Sequence, residues 1–184
     1  MKYSDIYRLY STSQPKDAIH QALREVPVDD SDEQYEDRSP LHLACQYGDA
    51  EGVKILLERD AEPNTKDANG STPIHILGRP SAGRADEDIL KVIAVMLMEH
   101  GANIPRSAKN TTALIECVRN RHFKMAEAII NSGARVNSTD LNGENVLFGF
   151  CAASGDIRRD IRFAKKELDE SVQYSYPENK IEEI

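Results

Sequence analysis

The chain has no tryptophan, only four phenylalanines and only three cysteines among 184 residues. With no tryptophan and few phenylalanines, its apolar material is mostly Leu, Ile, Val and Ala, enough to fill thin layers between helices rather than one deep core. Three cysteines fit a reducing compartment better than a disulfide-stapled fold. Long hydrophobic runs are also missing. The longest, Val92 to Met98, falls far short of the roughly 18 residues a membrane-spanning helix needs. The amino terminus, Met1-Lys2-Tyr3-Ser4-Asp5-Ile6, offers no hydrophobic stretch of a secretory signal. The expectation is therefore a cytoplasmic chain with no membrane partner. Positive charge is in deficit, and a formal charge of −8 opposes a phosphate backbone. The basic cluster Arg158, Arg159, Arg162, Lys165 and Lys166 is short, interrupted by Asp160 and followed by Glu167, Asp169 and Glu170, so nucleic acid is not expected as a partner.

Sequence signatures of chemistry are absent as well. No phosphate-binding glycine loop, Gly-x-Ser-x-Gly elbow or His-Glu-x-x-His pair occurs. Asp30-Ser31-Asp32-Glu33-Gln34-Tyr35 resembles a calcium loop only superficially, because Tyr35 stands where such a loop turns on glycine. The chain reads as a non-enzyme with no catalytic residues, no metal and no cofactor.

What the sequence does contain is a copy of itself. Ser39-Pro40-Leu41-His42-Leu43-Ala44 returns as Thr72-Pro73-Ile74-His75-Ile76-Leu77, each matched pair 33 residues apart. A fixed period of this length marks one supersecondary unit stacked on its copies. Leu41, Ile74, Leu114 and Leu147 carry the register onward in steps of 33, 40 and 33. The long step places eight inserted residues, about 78–85, between the two helices of the third unit.

This pattern resembles the ankyrin-repeat family, whose Thr-Pro-Leu-His-x-Ala signature reads here as Ser39 to Ala44 and, less completely, as Thr72 to Leu77. Further family marks are the helix ends Ile55 to Ala61, Met96 to Ala102 and Ala128 to Ala134, followed by Asn64, Asn103 and Asn137. The resemblance covers about residues 4–168 and implies an all-α fold, an ankyrin-repeat solenoid of stacked helix-turn-helix units with β-hairpin-like finger loops. The units would be an amino-terminal cap with an acidic finger at 4–34, repeats at 35–66, 67–105 and 106–137, a divergent or capping repeat at 138–170 and a tail at 171–184.

Local chemistry fits each piece. Ser39 or Thr72 can cap a helix, Pro40 or Pro73 suits its first position, and Gly48 can close it in a left-handed conformation. Second helices show buried stripes at Val53, Leu56 and Leu57 and at Ala126, Ile129 and Ile130. Asn69-Gly70 and Asn142-Gly143 favour tight finger turns, both residues tolerating positive φ. The amino-terminal cap should pair a helix through Ile6, Tyr7, Leu9 and Tyr10 with one that turns Ala18, Ile19, Ala22 and Leu23 inward. At the far end Ile157, Ile161, Ala164 and Leu168 form one stripe of a closing helix.

Several residues weigh between structure and chemistry. By resemblance, His42 and His75 hydrogen-bond within and between units, making them structural with Pro40, Gly48 and Pro73. Cys45, Cys117 and Cys151 stand where the family places alanine and serve as small apolar residues. A Cys117–Cys151 disulfide and a metal site are both disfavoured by the spacing of packed helices. A hydrolase built on Cys45 or Cys117 is a distant third reading. The fourth unit lacks the proline and histidine, has Glu116 where an apolar residue is usual, and puts Arg121 where glycine is expected. Amide exchange should therefore be faster in units four and five than in unit two.

The function implied is recognition of another protein by a rigid concave surface of finger tips and first helices, as a monomeric adaptor or inhibitor. The alternative is a regulatory segment of a larger enzyme or effector. Family position assigns contacts to Tyr35, Arg38, Gln46, Tyr47, Ala68, Asn69, Ser71, Lys109, Thr111, Arg119, Asn120, Leu141 and Glu144, with Tyr47 and Arg119 foremost, since Tyr and Arg are enriched in hot spots. Asp29, Asp30, Asp32, Glu33, Glu36 and Asp37 crowd the first finger and would steer a partner with a basic patch. A plain solvated acidic loop fits the same residues. Arg79 and Arg84 of the insertion and the basic face of the closing helix are further candidates, for which a tolerated loop and solvated charge, respectively, are the plainer readings.

Overall fold

The computed structural model describes residues 1–79, 86–103, 112–136, 139, 145 and 146. Among them eight α-helices follow in pairs: α1 (Tyr3–Ser11) and α2 (Lys16–Glu25), α3 (Pro40–Gln46) and α4 (Ala50–Glu58), α5 (Pro73–Leu77) and α6 (Glu87–Glu99), α7 (Ala113–Arg119) and α8 (Phe123–Asn131). No strand occurs among the described residues.

The two central pairs begin with the same chemistry. Pro40 and Pro73 occupy the first turn of α3 and α5, where a missing N–H costs no hydrogen bond. Ser39 and Thr72 precede them in extended conformation. Their N–H groups donate to Nδ1 of His42 and His75 at 3.1 and 3.3 Å, so the histidine closes the helix start. α7 has neither residue, and there Thr112 Oγ1 accepts from the Ile115 N–H at 3.3 Å.

The exits repeat as well. Gly48 leaves α3 at φ 61° and Arg121 leaves α7 at φ 65°, with Asp49 and His122 N–H groups donating back to the carbonyls of Ala44 and Cys117 at 2.9 and 2.8 Å. Asp60, Gly101 and Gly133 end the second helices at φ 63°, 87° and 87°, and Ala61, Ala102 and Ala134 donate to Leu56, Leu97 and Ile129. The third unit differs. Gly78 follows α5 at φ −73°, in the right-handed region. The extra length of this unit is not confined to a loop either: α6 has 13 residues where α4 and α8 have nine, so part of the insertion is an added turn of helix.

First helices pack on first helices (α1 on α3, α3 on α5, α5 on α7), and second helices on second (α2 on α4, α4 on α6, α6 on α8). Leu41, Ile74 and Leu114 therefore lie side by side in the array, all at most 1% exposed. Leu147 lies outside the described residues, as do Cys151, the closing-helix stripe and the tail. Leu43, Leu56, Leu77, Ile93, Leu97, Ile115 and Ile129 complete one continuous thin core. In the cap, Ile19, Ala22 and Leu23 are buried as expected, but Ala18 is exposed. It sits in the first turn of α2, one position off the stripe that faces α4.

Polar links join successive units. Asn64 Nδ2 donates to the Gly101 carbonyl at 2.9 Å and its Oδ1 accepts from the Asn103 N–H at 2.7 Å, which gives the asparagine after α4 an inter-unit role; Asn137 lies outside the described residues. Arg59 donates to the carbonyls of Leu23 and Val26, tying the cap to the next unit.

Candidate protein-interaction surface

The first fingers are built by side chains that reach back to the backbone. Asp67 organises the second finger: its Oδ1 accepts from the N–H groups of Asn69 and Ser71 at 2.9 and 2.8 Å, and its own N–H donates to the Ser71 carbonyl. Gly70 alone adopts positive φ, at 66°, so Asn69 does not share the left-handed conformation expected of an Asn-Gly hairpin turn. The buried Asp67 side chain supplies instead the hydrogen bonds that hold the turn. Ala68 stands exposed at the tip, and its N–H donates to the Glu36 carbonyl at 2.8 Å, joining this finger to the one before.

The first finger contains a short 3-10 turn at Glu33–Tyr35, followed by Glu36 and Asp37 at φ 61° and 52°. Its acids are partly committed: Asp30 accepts from the Tyr3 N–H at 2.7 Å, Asp32 from the Gln34 N–H at 2.9 Å, and Glu36 from Arg38. Asp29 and Glu33 are exposed.

Among the assigned contact residues, Tyr35, Gln46, Tyr47, Asn69 and Arg119 are half-buried on the finger and first-helix side. Tyr35 packs on Tyr7 with ring centroids 4.3 Å apart and on Tyr3 at 5.6 Å. Tyr47 stacks on Tyr10 at 4.8 Å with the rings 12° from parallel. Three assigned residues face inward obligations. Ser71 is fully buried: its carbonyl accepts from His42 Nε2 at 3.0 Å and its hydroxyl accepts from Arg79 at 2.7 Å, so it is removed from the surface. Arg38 is held by Gln46 at 2.8 Å, by Glu36, and by Asp67 at 3.6 Å, with its side chain 19% exposed. Asn120 donates to the carbonyls of Gly78 and Glu116, both at 2.9 Å, bridging α5 and α7. Sequence position put these three on the right face; the inter-unit register turns them into struts. Lys109, Thr111, Leu141, Glu144 and Arg84 lie outside the described residues.

His42 uses both ring nitrogens, Nδ1 accepting from Ser39 and Nε2–H donating to Ser71, so neither is left for a metal or a proton relay. Burial drives its pKa down from 6.5 to about 4, against the smaller opposing effect of the Ser71 carbonyl. Cys45 and Cys117 are free thiols at most 1% exposed, and burial pushes both well above the ordinary thiol range, the reverse of a poised nucleophile. A cleft of about 740 Å³ opens between the ends of α6 and α8, lined by Val95, Met98 and Leu114 among others. Its hydroxyls are spent locally, Ser132 Oγ donating to the Ala128 carbonyl and Thr112 capping α7.

A network at the other end of the first helices was not anticipated. Asp49, 5% exposed, caps α4 through the Gly52 N–H at 3.1 Å and accepts from the Tyr10 hydroxyl at 2.8 Å and from His20 Nε2 at 3.0 Å. Burial, then the Asp49 charge, holds the Tyr10 hydroxyl far above its ordinary pKa. Asp49, directly before α4, was the available signal, since an aspartate there suits a helix start.

Antiparallel helix pairs stacked like on like, with turns projecting beyond one end, define a helical solenoid. Its particular kind is settled by comparison with known proteins: a model described as "Ankyrin repeats (many copies)" matches residues 22–77, and one described as "Ankyrin repeat" matches residues 109–141. The chain is an ankyrin-repeat protein. It is 30% identical over 134 residues to mouse Neurogenic locus notch homolog protein 1, covering 72% of this chain and 5% of that protein. It is 38% identical over 69 residues to a Caenorhabditis elegans Transient receptor potential cation channel subfamily A member 1 homolog, covering 38% of this chain and 6% of that protein. Mouse Rabankyrin-5 is 36% identical over 115 residues, covering 60% of this chain and 9% of that protein. The chain thus spans less than a tenth of each of these relatives. No described helix is long and apolar enough to cross a membrane.

Proposed function

We propose that this array is a monomeric, cytoplasmic protein-interaction module, divided into the units set out above, that binds another protein through its finger tips and first helices and acts as an adaptor or inhibitor rather than an enzyme. One observation carries the reading. The row α1, α3, α5, α7 keeps Tyr35, Gln46, Tyr47 and Arg119 half-buried on one side while polar links from His42, Asn64 and Asp49 join the units behind it. Ordering such a surface is accomplished by folding, so association need not bear that entropy again.

A second reading, a regulatory ankyrin segment of a larger enzyme or effector, is favoured by the comparisons, in which the matched stretch is 5–9% of far longer proteins. Both readings use the same face.

The test is affinity capture with the Tyr47→Ala, Arg119→Ala double variant. Partner binding falls at least about tenfold, as expected for two hot-spot side chains. The melting temperature drops by only a few degrees, since losing the Tyr10 stack costs about 1 kcal/mol. Unchanged capture contradicts the assignment.

A further inference from the structure

Five of the seven tyrosines in the chain, Tyr3, Tyr7, Tyr10, Tyr35 and Tyr47, meet along the seam between α1 and α3. Tyr3 and Tyr10 form its floor, at 1% and 6% exposure, while Tyr7, Tyr35 and Tyr47 remain half-buried. Core packing accounts for the floor. It does not account for three further phenol rings left at the surface of a chain otherwise so poor in aromatics.

Two observations show what this seam suits. The first is charge. The adjoining finger, residues 29–38, carries six carboxylates and one guanidinium, with Asp29, Glu33 and Glu36 exposed. The nearby exposed cation Arg8 lies against its own Asp5 at 3.6 Å. The second is an unmet polar atom. The Tyr3 hydroxyl is buried with no hydrogen-bond partner, in the electrostatic reach of Arg38, Tyr7, Asp32 and Tyr35. A phenol oxygen can accept an N–H donor, so this floor atom adds an acceptor beneath the half-buried rings. Arg38 shows that carboxylates at this end pair with a guanidinium, its own being held by Glu36, Gln46 and Asp67.

Resting on the protein-interaction reading above, we propose that the tyrosine seam of α1 and α3, with its acidic finger, is the docking site for an arginine-bearing segment of the partner protein. Guanidinium planes stack on tyrosine faces and offer five N–H donors, while the finger carboxylates supply the opposite charge. Lysine, a strongly hydrated point charge, gains less from the rings.

The experiment titrates the full isotope-labelled chain with three synthetic peptides alternating glycine with arginine, lysine or glutamate. The arginine peptide moves resonances of Tyr7, Tyr35 and Tyr47, binds more tightly than the lysine peptide, and weakens as salt rises from about 0.02 to about 0.5 M. The glutamate peptide moves none of them. Asp29→Asn with Glu33→Gln, two exposed and fold-neutral changes, weakens arginine-peptide binding about tenfold, and Tyr35→Leu does the same. Shifts scattered over the whole surface, equal response to arginine and lysine, or binding indifferent to these substitutions overturns the proposal. If Tyr35→Leu fails to fold, the charge variant and the peptide comparison decide alone. A partner captured through Tyr47 and Arg119, together with an arginine peptide that leaves the seam unmoved, defeats this inference and leaves the broader reading standing.

Discussion

His42 shows how a residue type associated with chemistry becomes a structural part. Fully buried, it accepts from Ser39 and donates to Ser71 of the next unit, and it stays neutral because the interior disfavours its charged form. A stability consequence follows from the sign of the shift. The folded pKa of about 4 lies below the unfolded 6.5, so on acidification the unfolded chain takes up the proton first. The contribution is intact above pH 6.5 and is lost as pH falls toward 4, reaching on the order of 2 kcal/mol at about pH 5. Urea unfolding of the wild type and of His42→Gln at about pH 7.5 and about pH 5 measures it. The wild type loses more stability than the variant across that interval; equal losses would contradict the neutral, buried assignment. At this same scale the sequence was least legible for Ser71, Arg38 and Asn120. Each is a polar residue at a family contact position, and only the packed structure, with partners from its own and an adjacent unit, reveals that its hydrogen bonds are already taken.

Elements were far easier to read than side-chain partners. A 33-residue step, Pro40 and Pro73 at helix starts and Gly48 at a helix exit are local signals, and local hydrogen bonds realise them. The extra turn of α6 was not legible, because eight inserted residues leave no mark of how many continue a helix and how many do not. The Asn69-Gly70 turn was legible as a turn but not in its geometry, which the Asp67 side chain decides. α7 departs from its siblings as its sequence implies: no proline, no histidine bridge at its start, and Arg121 forced to φ 65° at its exit. A left-handed non-glycine residue costs about 1 kcal/mol. Amides of α7 therefore exchange about fivefold faster than those of α3 under native conditions. Equal protection of the two helices would show that packing of α7 against α5 and α8 outweighs its weaker ends.

At the scale of the whole molecule, the described residues form a stack in which each unit packs on its neighbours, so its stability includes interface links such as Asn64 to Gly101 and Asp49 to Tyr10. That architecture was readable from the repeat; the tyrosine seam was not. Tyr35 and Tyr47 come from one unit and Tyr3, Tyr7 and Tyr10 from another, and their meeting depends on how far one helix pair is shifted against the next. The functional claim concerns which side of the stack a partner touches. The most direct test places a photo-cross-linking amino acid at Ala68, on an exposed finger tip, or at Lys54, on the exposed side of α4, and irradiates cells expressing each variant. Cross-links to a second protein from position 68 and none from position 54 are the result this account predicts. Cross-links from position 54 alone would place the partner on the second helices and contradict it.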